Sequence, residues 1–309
     1  MFEHSFDEMF IDKTTSPSIS FVCKRNFIER VQLTYHSPTD LSLALEIAAQ
    51  PKGKIVAGGT DVYPTAKKGV LPEFFLDLTR LNGFTDIANQ DGMLRIGAAT
   101  TWTQITKIKL PPAFDALKQA AKEIGSIQIQ NTGTIAGNLC NASPAADGVP
   151  PLLALDAEVE LASAARGTRV LSLSNFIQGV RKTALADDEL MTSILIPAPP
   201  INARSAFEKL GSRRYLVISI SMIAATITCD SDDRIVDARI AVGSCSPVAQ
   251  RLHRLEHDII GKSLQDIKIT QEHFEPLSPI DDIRGSGSYR LDVVAEQCIR
   301  AIRRAAGHE

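Results

Sequence analysis

Pro197, Pro199 and Pro200 place three prolines within four residues. Proline carries no N–H for a sheet ladder, so no strand runs through this point and the chain is divided here. Strand candidates stand on both sides of it, at 158–162, 169–173 and 191–196 before and at 205–210, 217–228 and 235–242 after. A chain of 309 residues has length for two compact units. The expected division is a unit over 29–199, a smaller unit over 200–309, and a polar, unpatterned tail over 1–28.

Helical signals are interleaved with these strands. Ser37 and Pro38 read as N-cap and first position of a helix that carries Leu41, Ala44, Leu45 and Ala48 on one face. Lys54 to Ala57 reads as a short strand, with further strands at 74–78 and 94–98. A helix is expected over 112–124, closed by Gly125, and two more over 247–259 and 291–305. Mixed elements without strict βαβα alternation predict an α+β fold.

Composition removes several function classes. Apolar residues make up 44% and the formal net charge is −3, with Lys and Arg dispersed, so no basic stripe for nucleic acid is expected. The longest apolar run, 215–229, is broken by Ser219, Ser221, Thr226 and Thr228 and falls short of the roughly 20 apolar residues of a membrane span. The acidic start MFEHSFDEMF lacks a secretory pattern, which leads to an expected cytoplasmic location. Five scattered cysteines without a Cys-x-x-Cys pair fit a reducing compartment and cannot hold an iron–sulfur cluster or a four-thiolate zinc.

Two segments rich in small residues carry the chemistry. In the first, the strand runs into Gly58, Gly59, Thr60 and Asp61. Glycines let backbone N–H groups approach a ligand, and such a concave run suits phosphate oxygens. It is neither the Gly-x-Gly-x-x-Gly fingerprint nor a Walker A loop, and on spacing alone a tight turn with a capping Asp explains it as well. The second, 126–147, reads as a long loop of amides, hydroxyls and glycines, a length that is uncommon without function. Two such segments could clamp an extended dinucleotide from opposite sides.

At these residues a family resemblance enters. Ile-Val-Ala-Gly-Gly-Thr-Asp at 55–61 and Thr-Ile-Ala-Gly-Asn-Leu-Cys-Asn-Ala-Ser-Pro-Ala-Ala-Asp at 134–147 resemble the two FAD motifs of the molybdenum hydroxylase flavoproteins, which include xanthine dehydrogenase, aldehyde oxidase and carbon monoxide dehydrogenase. Arg166-Gly167-Thr168-Arg169, Phe176 and Gly179-Val180-Arg181-Lys182-Thr183 are similar to the xanthine dehydrogenase branch. Residues 209–214, 281–286 and Tyr289-Arg290 resemble signatures of the family's C-terminal domain.

The resemblance implies a two-lobed FAD-binding domain of the vanillyl-alcohol oxidase (PCMH) type, followed by a smaller α+β domain of the CO dehydrogenase flavoprotein type. It implies cofactor contacts from Ile55, Val56, Ala57, Gly58, Gly59, Thr60, Asp61 and Val62 in the first motif, and from Thr134, Ile135, Ala136, Gly137, Asn138, Cys140 and Asn141 in the second. Ile124 and Gly125 would adjoin the cofactor, Asp147 would hold the adenosine side, Leu190 or Met191 would pack near the isoalloxazine, and Lys209 would meet its pyrimidine edge. Ile124 and Cys140 depart from the residues that many relatives carry there. The resemblance further implies 2Fe-2S clusters on an iron–sulfur partner subunit, a molybdopterin cofactor on a large partner subunit, and NAD as acceptor, with FAD converting single-electron deliveries into a two-electron transfer.

One rival motif is present. His253-Arg254-Leu255-Glu256-His257 matches the H-x-x-E-H pattern of inverted zinc peptidases, although no third ligand adjoins it. The alternative is a solvated helix begun by Ser246 and Pro247.

Overall fold

A computed structural model of the chain describes residues 18–23, 31–62 and 72–308. The fold is α+β, built on three sheets. The first has strand order β1(Ser18–Cys23), β2(Val31–His36), β4(Phe74–Asp77), β3(Gly53–Val56), with β2 and β3 both parallel to β4. Helix α1(Leu41–Ala48) connects β2 to β3. The second sheet is antiparallel, in the order β5(Ile87–Gln90), β6(Met93–Gly97), β11(Glu189–Pro197), β7(Glu158–Ser163), β8(Gly167–Ser172).

Between β6 and β7 lie the helices α2(Trp102–Lys107), α3(Asp115–Glu123), α4(Ile127–Thr132), α5(Ile135–Asn141) and α6(Val149–Ala154). A turn of helix, α7(Leu173–Phe176), and a ribbon of β9(Ile177–Gly179) and β10(Lys182–Thr183) separate β8 from β11.

The third sheet follows the proline cluster. Its antiparallel strands β12(Arg204–Leu210), β13(Ser221–Cys229), β14(Ile235–Gly243) and β15(Gln250–Arg251) lie in sequence order. Helices α8(His253–Ile259) and α9(Gly287–Ala305) pack on it. Alternate residues serve two cores. Phe207, Met222, Ala224 and Ala241 face the N-terminal unit, while Ala206, Ile223, Ala225, Ile240 and Val242 face the C-terminal helices. Both faces of this sheet are therefore covered, and its strand β13, buried at every position but the last, reads as a near-continuous apolar run.

Several local expectations change. Residues 18–23 of the expected tail form β1, paired antiparallel with β2, while 1–17 and 24–28 lie outside the described residues. Helix α1 is capped by Asp40, whose Oδ1 accepts from Leu43 N–H at 3.1 Å; Ser37 instead donates to Asp77 at 3.2 Å. The segment 126–147 is not structureless, because it holds α4 and α5. Thr134 makes α5 possible by accepting from Gly137 N–H at 3.1 Å. In the C-terminal unit Ser246 caps no helix: its hydroxyl donates to Cys245 O and accepts from Ser278 N–H, and α8 begins only after β15. Gly125 does follow α3 in the left-handed region, at φ +54°.

Candidate functional site

The parallel sheet delivers the first small-residue segment. Beyond β3 the chain turns through Gly58 and Gly59, the latter at φ +69°. Gly58 is where the two segments meet: a Cβ there would stand 1.9 Å from Thr132 O and 2.8 Å from Gly133 Cα. Only a residue without a side chain allows that approach. The second segment is tied down from below. Trp102 N–H donates to Gly133 O at 3.2 Å and Ile135 N–H to Thr100 O at 2.9 Å. Trp102 is itself fixed by a capping box in which Thr101 and Gln104 bond reciprocally at 2.9 and 3.3 Å.

A cavity of about 670 Å³ lies between the segments, inside the 300–1,000 Å³ common for ligand pockets. Ile55 through Val62 line it from one side, and Thr134, Ala136, Gly137, Asn138, Cys140 and Asn141 from the other. Ile124, Leu190 and Met191 complete the expected part of the wall. Leu190 and Met191 are neighbours on β11 and both contribute to the wall, just before a register shift between Met191 and Ser193. Burial pushes the Cys140 thiol up to about 12, so at neutral pH it is a neutral, apolar wall group.

Four expected contacts are placed elsewhere. Gly125 and Ile135 lie outside the wall, Ile135 being fully buried in the core. Asp147 and Lys209 bond each other. Lys209 Nζ donates to Asp147 Oδ2 at 2.7 Å and to Glu123 O at 3.2 Å, and Ser219 Oγ donates to Asp147 Oδ1 at 2.5 Å. Burial raises the Asp147 carboxyl above its ordinary range, against the pull of Lys209 and Ser219. This pair joins the C-terminal sheet to the end of α3 and does not line the cavity.

The wall also contains residues that sequence reasoning did not single out as cofactor contacts: Lys54, Leu78, Ala98, Ala99, Trp102, Ile129, Gly133, Arg181, Leu185 and Glu189. Glu189 is almost fully buried and accepts a fork from Arg169 at 2.7 and 2.8 Å and a bond from Ala186 N–H at 2.9 Å. Burial opposes its ionisation, but Arg169, the Ala186 amide and Arg166 outweigh burial and hold the carboxyl below its ordinary range. Of these residues Trp102 had a readable signal, as the chain's one tryptophan behind a Thr-x-x-Gln cap, and Arg181 stood in a family-like motif without a role attached.

The sequence profile of the FAD binding domain in molybdopterin dehydrogenase matches residues 29–199, and that of the CO dehydrogenase flavoprotein C-terminal domain matches 205–305. The chain belongs to this family. It is 35% identical to the nicotinate dehydrogenase FAD-subunit of Eubacterium barkeri, over 73% of this chain and 76% of that one. It is 31% identical to a putative xanthine dehydrogenase FAD-binding subunit of Escherichia coli, over 88% and 95%. A reconstituted CO dehydrogenase from Oligotropha carboxidovorans superposes with a TM-score of 0.80 at 25% identity, over 89% of this chain and 98% of that one. The chain is thus an oxidoreductase flavoprotein subunit.

The residues present fit FAD. Asn138 belongs to the cavity wall, and its buried Oδ1 has no hydrogen-bond partner among the described residues, which fits an acceptor for a bound ligand. Glycine backbone lies on one side and apolar Ile55, Leu78, Leu190 and Met191 on others, which suits a molecule with a phosphate middle and a flat aromatic end.

The H-x-x-E-H motif has a different use. Glu256 is locked inward by an Arg251 fork at 2.5 and 2.8 Å and by Ile240 N–H at 2.7 Å. His253 and His257 stand in solvent. Among the described residues no three His, Cys, Asp or Glu groups converge as a metal site, and no helix is long and apolar enough to cross a membrane.

Proposed function

We propose that this chain holds FAD between its two small-residue segments and relays electrons in a cytoplasmic molybdenum hydroxylase of the xanthine dehydrogenase type. Electrons would come from 2Fe-2S clusters on an iron–sulfur partner, a molybdopterin-bearing large subunit would oxidise the substrate, and NAD would be the acceptor. The observation that carries the reading is the meeting of Gly58 with Thr132 and Gly133 over one cavity whose wall holds Asn138, its Oδ1 unpartnered among the described residues. When bound, FAD supplies the exchange between one-electron and two-electron chemistry. The chain's own part is to bind and orient. Residues 55–62 would offer backbone N–H groups to the phosphates, Asn138 an acceptor, and Leu190 and Met191 apolar surface that excludes water. Glu189, held ionised by Arg169, sets the local field without exchanging a proton at neutral pH.

Anaerobic mixing of the reconstituted complex with xanthine tests the reading. The flavin band near roughly 450 nm should bleach and return on adding NAD. Bleaching with nicotinate or an aldehyde but not with purines would transfer the chain to a second reading, a hydroxylase of another substrate, which the 35% identity to a nicotinate dehydrogenase subunit favours. A flavin that no substrate bleaches would make the chain a non-catalytic flavin-binding module.

A further inference from the structure

The β9–β10 ribbon ends in a tight turn in which Arg181 has φ +57°. Such a position favours glycine, because an L side chain there crowds its own backbone. An arginine that keeps this conformation must be held in it by its surroundings. The end of α5 does so. Arg181 N–H donates to Ala142 O at 2.9 Å, and its Nη1 donates to Asn141 O at 3.1 Å and to Asn141 Oδ1. Ala142 is left-handed as well, at φ +44°, and fully buried. Two left-handed residues, one on the ribbon and one on the helix end, thus lock each other. Arg181, Leu185, Cys140 and Asn141 all line the same cavity, so the lock lies on its wall. A guanidinium only donates, which turns the Asn141 amide oxygen toward Arg181 and the amide NH₂ away from it.

We propose that Arg181 is a positioning residue that clasps the ribbon to α5 and thereby slows the escape of the bound cofactor. The proposal rests on the FAD reading above. It is tested on the purified FAD-loaded chain by the rate at which flavin fluorescence recovers on dilution, together with the melting temperature of the chain stripped of FAD. Arg181→Ala and Asn141→Ala should each release FAD about tenfold faster or more, the size of a lost charge-assisted hydrogen bond. The double variant should release it no faster than Arg181→Ala, because the guanidinium's loss already removes the contact that Asn141→Ala takes away. Arg181→Gly keeps a backbone that accepts φ +57°, so it should release FAD faster with no loss of apo melting temperature. That variant also serves where Arg181→Ala folds poorly. Wild-type release rates in Arg181→Gly and Asn141→Ala would overturn the clasp alone. A wild-type chain that takes up no FAD would overturn the cofactor reading and the clasp with it.

Discussion

Lys209 and Asp147 are 8% and 9% exposed at their side chains, and each is the other's counter-ion. Charges this far from water are tolerated only while paired, so removing one strands the other. Lys209→Met should therefore lower the unfolding free energy of the FAD-free chain by roughly 3–5 kcal/mol in a urea titration, and adding Asp147→Leu should restore most of the loss. A single variant with the wild-type midpoint would show that the pair does not stabilise the fold. Glu189 makes the complementary pH argument. Its carboxyl is held below its ordinary value of 4.5 in the folded chain, so the folded state binds that proton less tightly than the unfolded one. The stability it contributes is present above that value and is lost as pH falls through the folded one. Glu189→Gln should be less stable than wild type at neutral pH, and the gap in urea midpoint should close as the pH drops below 4.5. A gap that stays constant with pH would mean that the carboxylate's charge does not matter there.

At the scale of elements, the third sheet supplies a helix of the first unit with its cap. Helix α3 has no side-chain cap of its own, since Phe114 precedes it. Ser205 on β12 accepts from Ala116 N–H at 2.8 Å, and Gln119 on α3 accepts from Phe207 N–H at 2.8 Å. Ser205→Ala should cost about 1 kcal/mol, the usual worth of a helix cap, read from the urea midpoint. No change there would show that water replaces the hydroxyl. This contact spans 89 residues of sequence, and its kind separates what could be read in advance from what could not. The third sheet was legible because the apolar run of β13 and the proline cluster carry their own signal. Helices α4 and α5 were not. Ile127 to Thr132 buries no residue, and Asn131, Gly133 and Thr134 are poor helix formers. Their shape comes from tertiary bonds between Thr100 or Trp102 and the 133–135 backbone, which no local pattern announces. Within the site the same division holds. The glycine and asparagine positions were legible as motifs, whereas Arg181 and Glu189 reach the wall through a ribbon turn and a strand end that only the fold brings near.

Across the whole molecule, two units that match separate family profiles share one sheet as their common wall. Domains in one chain usually meet over modest, polar surfaces and move independently. Here Phe207, Met222, Ala224 and Ala241 belong to the core of the N-terminal unit, so the boundary at the prolines is a boundary of connectivity and not of packing. Polar links add to it: Lys209 with Asp147 and Ser205 with Ala116 are buried, and Arg251 and Arg239 meet the half-exposed Asp156 at 2.6 and 3.0 Å. Pulling the units apart would expose an apolar sheet face and strand a buried ion pair, which favours unfolding in one step. Two native probes can follow the two units separately. Trp102, the single tryptophan, is buried against the cavity, and Cys298 is buried on α9 in the C-terminal core. Tryptophan fluorescence and pulsed labelling of the Cys298 thiol should give the same urea midpoint. FAD at a thousand times its dissociation constant should move both by the same amount, about 4 kcal/mol of added stability. If FAD moved only the Trp102 transition and left Cys298 labelling where it was, the shared sheet would not be coupling the two cores, and cofactor binding would be an affair of the first unit alone.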